Sequence, residues 1–223
     1  MVTKTNNKIE EAAQELEGNI IKEIFKEAEE VARLHTIITS PRGNYFRKKL
    51  LHRLQNELSV SEIENMAREF GLEEHKRHLH KLEDYKLIKQ IEKEKYIRTD
   101  FGERIVNILR KLENKIGDEK TQKIYKAFLG PNSIRLFLRV FGQNKEPDSV
   151  TGDIKYSPHE FGHLTYFFVR TIEGMAAIDT LDDAELVSFQ EDGSIRVNPR
   201  RSAAFYRYLK NLYKVLREIE KIH

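Results

Sequence analysis

Residues 75–104 read HKRHLHKLEDYKLIKQIEKEKYIRTDFGER, and the order of patterns within them decides the fold. Leu79, Leu82 and Tyr85 recur at helical spacing among charged side chains, so the stretch opens as a helix with one apolar side. Leu87 to Ile91 and Tyr96 to Thr99 then have strand composition on either side of Glu92-Lys93-Glu94-Lys95, which predicts a hairpin with a charged tip. Thr99 or Asp100 can cap a following helix, Phe101 to Lys115, whose Ile105, Ile108, Leu109 and Leu112 form a buried stripe.

Working back from this stretch, a helix is expected from Asn44 to Glu57, with Phe46, Leu50, Leu51 and Leu54 on its apolar side. Ser61 and Glu64 fit a capping box for a second, short helix, Glu62 to Phe70. Gly71 is placed to end that helix in a left-handed conformation, and Leu72 enters the third helix, which runs to Tyr85. Two short helices across a tight turn, then a hairpin, have the order of a helix-turn-helix with a wing. Thr39 to Gly43 break the preceding pattern and Gly117 closes the unit, giving a domain over residues 40–117.

Two segments carry a resemblance. HKRHLHKLEDYKLI (75–88) resembles the recognition helix and its exit in the winged-helix transcription regulators of archaea and bacteria, the broad group of MarR-like and ArsR-like proteins. YIRTDFGER (96–104) resembles the strand-to-helix element in which a Thr and a Gly follow the second wing strand. Tyr85 departs from the pattern, standing where a glycine would be usual. The resemblance implies a regulator of transcription that binds double-stranded DNA without a cofactor.

The residues themselves suit that expectation. With Leu79 and Leu82 turned inward, helix 73–85 leaves Lys76, Arg77, His78, His80 and Lys81 around its outer side. There Arg77 can pair with guanine in the major groove while Lys76 and Lys81 neutralise phosphates. Lys93, Lys95 and Arg98 on wing 87–99, with Arg42, Arg47 and Lys48 near the first helix, are expected to hold the flanking backbone. The alternative is a solvated charged face diluted by Glu73, Glu74, Glu83 and Asp84. His75, His78 and His80 also raise a metal or pH sensor, although no cysteine or carboxylate pair completes a site.

Composition is compatible with this reading. Net charge is only +3, but residues 41–117 hold 18 Lys and Arg against 13 Asp and Glu, so the positive excess sits in the proposed domain. The absence of cysteine removes disulfides and thiolate metal sites, and no apolar stretch has membrane-spanning length. A soluble, cytoplasmic protein is expected; 34% charged residues also suit a thermophilic source. Apolar residues from Ile9 to Val31 recur three or four apart, predicting one long amphipathic helix from Asn7 to about His35. Residues 1–39 would use that stripe either to pack on their own chain or to form a homodimer.

Residues 118–223 predict a mainly helical domain with one hairpin. Helices are expected at Lys120 to Phe128, from a Ser133 cap to Phe141, from Ser157-Pro158 to about Ile178 singly or as a pair, and at Arg200 to Ile222. AELVSFQ and SIRVNP flank Glu191-Asp192-Gly193 as the hairpin. This repeats the order of the first unit, so the part is either a second, degenerate winged helix or a dimerisation or ligand-sensing domain. It also contains His159-Glu160-Phe161-Gly162-His163, a His-Glu-x-x-His match that in metallopeptidases holds zinc, with Glu173 or Glu185 as third ligand by distance. Against the peptidase, Pro158 puts the motif in the first turn of its helix, where Glu160 has a capping role. A third alternative for the whole chain is a winged helix used for protein contact in a larger assembly.

Overall fold

Thr39 ends a nearly continuous helical run at the N-terminal side of the molecule. The structure is a computed structural model describing residues 18–39, 45–142 and 154–222. Helix α1 (18–26) passes through Glu27 into α2 (Ala28–Thr39), and the Glu27 and Val31 amides donate to the carbonyls one turn back, each at 3.0 Å. The expected long helix therefore continues four residues beyond His35; its first part, and the break from Ser40 to Gly43, lie outside the described residues. Ile24, Ala28, Val31, Leu34 and Ile38 are fully buried in the chain's own core. The described part of the stripe thus packs on the chain's own core, with Ile20, Ile21 and Phe25 of α1 partly buried against it.

The first unit comprises α3 (Phe46–Arg53), β1 (Leu58–Ser59), α4 (Val60–Glu69), α5 (His75–Asp84), β2 (Ile88–Glu92), β3 (Lys95–Arg98) and α6 (Asp100–Ile116). Its antiparallel sheet has the order β1-β3-β2, with Leu58 opposite Tyr96 and Ile88 opposite Arg98. A bulge between Gln90 and Glu92 narrows the hairpin tip to Lys93 and Glu94. Strand β1 carries a correction: Ser59, at its extended end, caps α4 in place of Ser61. The Ser59 side chain accepts from the Glu62 amide and the Glu62 carboxylate accepts from the Ser59 amide at 2.8 Å. Glu64 instead pairs with Arg68 at 2.7 Å. The left-handed residue before β2 is Lys86, with φ 52°, one position beyond Tyr85.

After α7 (Asp118–Ala127) the same order returns: α8 (Pro131–Phe141), β4 (Ile154–Tyr156), α9 (Pro158–Thr165), α10 (Ile172–Asp183), β5 (Val187–Phe189), β6 (Ile195–Val197) and α11 (Pro199–Glu220). The sheet order β4-β6-β5 matches that of the first unit. Gly130, not Ser133, precedes the first turn of α8, and Ser133 is buried within it. Equivalent backbone bonds recur 99 residues apart. The Leu87 amide donates to Leu82 and that of Leu186 to Leu181, both at 2.9 Å, while Thr99 and Asn198 donate to Leu87 and Leu186. Lys86 and Glu185 share the left-handed conformation, with φ 52° and 54°. The capping boxes Ser59/Glu62 and Ser157/Glu160 are likewise equivalent.

One core joins the two units. Helix α2 packs against α3 and α5 on one side and α8 and α11 on the other, and α6 lies along α11. Phe128, Phe137 and Phe205 close on one another there, with ring centroids 4.1 Å apart for Phe128–Phe205. At the centre His35 is fully buried, its ring between the Tyr208 hydroxyl at 2.7 Å and the Tyr125 carbonyl at 3.1 Å.

Candidate nucleic-acid interface

Helix α5 turns His75, Leu79 and Leu82 into the core because they fall at three- and four-residue spacing. The same spacing exposes Lys76, Arg77 and His80 on the opposite side, with Lys81 at the margin. Arg77 lies 3.9 Å from Glu74 and His80 3.5 Å from Glu83, pairs that are exposed and therefore weak. Beneath this face sits Arg47 of α3. It is only 6% exposed, its Nη2 donates to the Thr36 carbonyl at 3.1 Å, and its Nε has no partner. Burial, then the nearby Arg77 charge, lowers the Arg47 pKa to about 10. Burial and then Arg47 and Arg77 lower that of Lys81. His78 stands edge-on to the Phe46 ring at 5.1 Å, and burial, Arg47, Lys81 and Arg77 together depress it to about 4. Arg47, Arg77 and Lys81 thus lie close enough for their charges to repel one another.

The β2–β3 hairpin presents fewer free cations than its sequence suggests. Lys93 is exposed at the tip and Lys89 along β2, the latter a residue the sequence reading passed over. Lys95 pairs with Glu92 at 3.2 Å and Glu57 at 3.6 Å. Three expected backbone contacts are corrected. Arg98 is buried, donating to the Leu51 carbonyl at 2.8 Å and to Glu103. Lys48 pairs with the sheltered Glu113 at 2.5 Å, and Arg47 is the internal residue just described. Each is turned inward, where it donates to a carbonyl or carboxylate of a neighbouring part of the fold. Arg42 lies outside the described residues.

His75 is buried, His78 half-buried and His80 exposed, so the three histidines do not converge. Among the described residues no three His, Asp or Glu side chains are placed to hold a metal ion. In the His-Glu-x-x-His motif the rings of His159 and His163 meet edge to face, with centroids 4.6 Å apart. The Glu160 carboxylate accepts from the Ser157 amide at 2.7 Å, completing the cap equivalent to that of Glu62. Glu185, a candidate third ligand, pairs with Lys123 at 2.7 Å and with Arg201, which hold its carboxyl down at about 2.

In the second unit the equivalent face has other chemistry. At the 99-residue offset Lys76, Arg77, His80 and Lys81 become Met175, Ala176, Asp179 and Thr180, and Lys93 becomes Asp192. Apolar side chains are exposed alongside: Tyr166, Phe167 (64%), Val169, Ile172 (79%), Met175 and Phe189. No helix among the described residues is long and apolar enough to cross a membrane. No family model, curated protein or solved structure matches the chain.

Proposed function

We propose that residues 40–117 are a winged helix that binds double-stranded DNA, and that the protein acts as a transcriptional regulator. The supporting observation is the outer face of α5, where Lys76, Arg77, His80 and Lys81 stand above the buried charge of Arg47, in the unit whose hairpin tip exposes Lys93. In this reading α5 enters the major groove, Arg77 reads base edges, and Lys76, Lys81, Lys89 and Lys93 neutralise phosphates. The order of helices and strands and the sheet order of this unit fit a winged helix, and the same fit extends to residues 118–223.

The test is a titration of the full chain with genomic DNA fragments at two salt concentrations. Arg77→Ala should lower affinity for a selected fragment by about 1–3 kcal/mol and relax its selectivity. Lys93→Ala should weaken all fragments alike and reduce the salt slope by about one. Unchanged affinity in both variants would remove the assignment.

A second reading, protein contact in a larger assembly, is favoured for the second unit by its exposed aromatic and aliphatic side chains beside Glu173, Asp179, Asp182 and Asp183. Such a face repels phosphate and suits a protein surface. Our reading gives His159, Glu160 and His163 no catalytic part, because Glu160 serves as the helix cap.

A further inference from the structure

Helices α6 and α11 run antiparallel, and between them lies a groove that the proposed α5 site does not use. Two adjoining cavities of about 360 and 280 Å³ form it, sharing Ile108, Lys111 and Asn211. One end is marked by the two-pronged ion pair of Arg104 with Glu218, at 2.5 and 2.8 Å. The walls carry Lys111 and Lys115 from α6 and Arg207 and Lys214 from α11. No carboxylate lines either cavity, and among the described residues none of these four cations forms an ion pair. Four like charges along one groove raise its potential and concentrate anions there.

The arrangement also limits what kind of anion fits. Lys111 and Lys115 are one helical turn apart, and Arg207 and Lys214 two turns, so the cationic array extends about 10 Å along the groove. That length suits several phosphates in a row better than one isolated anion. Asn107 and Asn211 add amide donors of the type that bind phosphate oxygens. A stacking platform for bases is absent from the groove: its aromatic lining residue, Tyr208, is 2% exposed and its hydroxyl is engaged by His35.

We infer that the groove between α6 and α11 is a binding site for a chain of phosphate groups, recognised through Lys111, Lys115, Arg207 and Lys214. The phosphates come either from a nucleic-acid backbone or from a free polyphosphate ligand, and two probes separate these sources. The variant is Lys111→Gln/Arg207→Gln in the full chain, with unchanged circular dichroism and melting as the check that exposed substitutions leave the fold intact. Inorganic tripolyphosphate is titrated calorimetrically, and a labelled random-sequence duplex is titrated across a salt series.

For a backbone site, the double variant lowers the duplex salt slope by about two. For a free-ligand site, it loses tripolyphosphate binding at least tenfold while duplex binding stays unchanged. Arg77→Ala, in the separate α5 face, retains tripolyphosphate binding in both cases, so failure of the DNA-binding reading is distinguishable. Wild-type protein that binds neither probe, or a double variant that binds both as the wild type does, overturns the inference.

Discussion

Lowering the pH from 7 to 5 should destabilise the protein by about 2 kcal/mol through His35 alone. The ring is fully buried; Nε2–H donates to the Tyr125 carbonyl at 3.1 Å, leaving Nδ1 to accept from the Tyr208 hydroxyl at 2.7 Å. Both nitrogens are satisfied in this neutral tautomer, and protonation would reverse the Tyr208 bond and place a positive charge in a fully buried site. Burial accordingly lowers the pKa from 6.5 to about 4, partly opposed by the Tyr125 bond. As pH falls the unfolded chain takes up this proton first. Stability from neutral His35 is therefore intact above about 6.5 and lost progressively towards pH 4, about 3 kcal/mol in all. Some 2 kcal/mol of it goes between pH 7 and 5. His52 and His78 are depressed as well and add in the same direction, so the wild-type loss alone does not isolate His35. Urea unfolding of wild type and His35→Gln at both pH values does. The variant is expected to be less stable at pH 7 yet to lose about 2 kcal/mol less on acidification. Equal losses in the two proteins would refute the argument, whatever their absolute stabilities.

Gly102→Ala should unfold or severely destabilise the first unit, by about 3 kcal/mol or more, because a Cβ there would meet the Leu87 carbonyl oxygen at 2.1 Å and the Arg98 side chain at 2.5 Å. A melting temperature within a degree or two of the wild type would show that α6 can move away from β2 at little cost. Ser157→Ala removes the cap of α9 and should cost about 1 kcal/mol, read as a downward shift in the urea midpoint. DNA affinity in that variant should stay unchanged, and a loss there would tie the second unit to the interface.

How far the fold was legible depended on where each signal resided. Helices α6 and α11 were readable because Ile105, Leu109 and Leu112, or Phe205, Leu209, Leu212 and Leu216, lie on one face by their own spacing. Strands β1 and β4 were not: two or three residues become extended only because β3 and β6, about 40 residues further on, supply the pairing. The misplaced cap follows directly. Ser59-x-x-Glu62 and Ser61-x-x-Glu64 are equally good local patterns, and only the end of β1 chooses between them. Inward-turned cations were hidden in the same way. Nothing near Arg47 in sequence reveals that its guanidinium will meet the Thr36 carbonyl, nor does the Lys48 neighbourhood disclose Glu113, 65 residues away. The exposed face of α5 was legible because it is the complement of an apolar stripe within one helix. The α6–α11 groove was not, since its walls are about 100 residues apart in the chain.

Repetition of the backbone makes the difference in side chains informative. Both units hold the third helix by the same turn, through left-handed Lys86 in one and left-handed Glu185 in the other, and both lead from the hairpin to a helix capped by a side-chain oxygen, of Thr99 or Asn198. Packing therefore makes the same demand at equivalent positions: Leu79 answers Ile178, and Leu82 answers Leu181. Outside the core, where packing imposes no demand, Lys76, Arg77 and His80 on one helix face Met175, Ala176 and Asp179 on the other. The hairpin tips follow suit with Lys93 against Asp192, whose carboxyl Ser194 and Lys155 hold ionised down to about 2. A fold shared in this detail leaves binding chemistry to the surface residues alone. Under the proposed function, phosphate would be drawn to the α5 face and a protein surface to the apolar, acidic α10 face, so that two copies of one backbone would serve different partners.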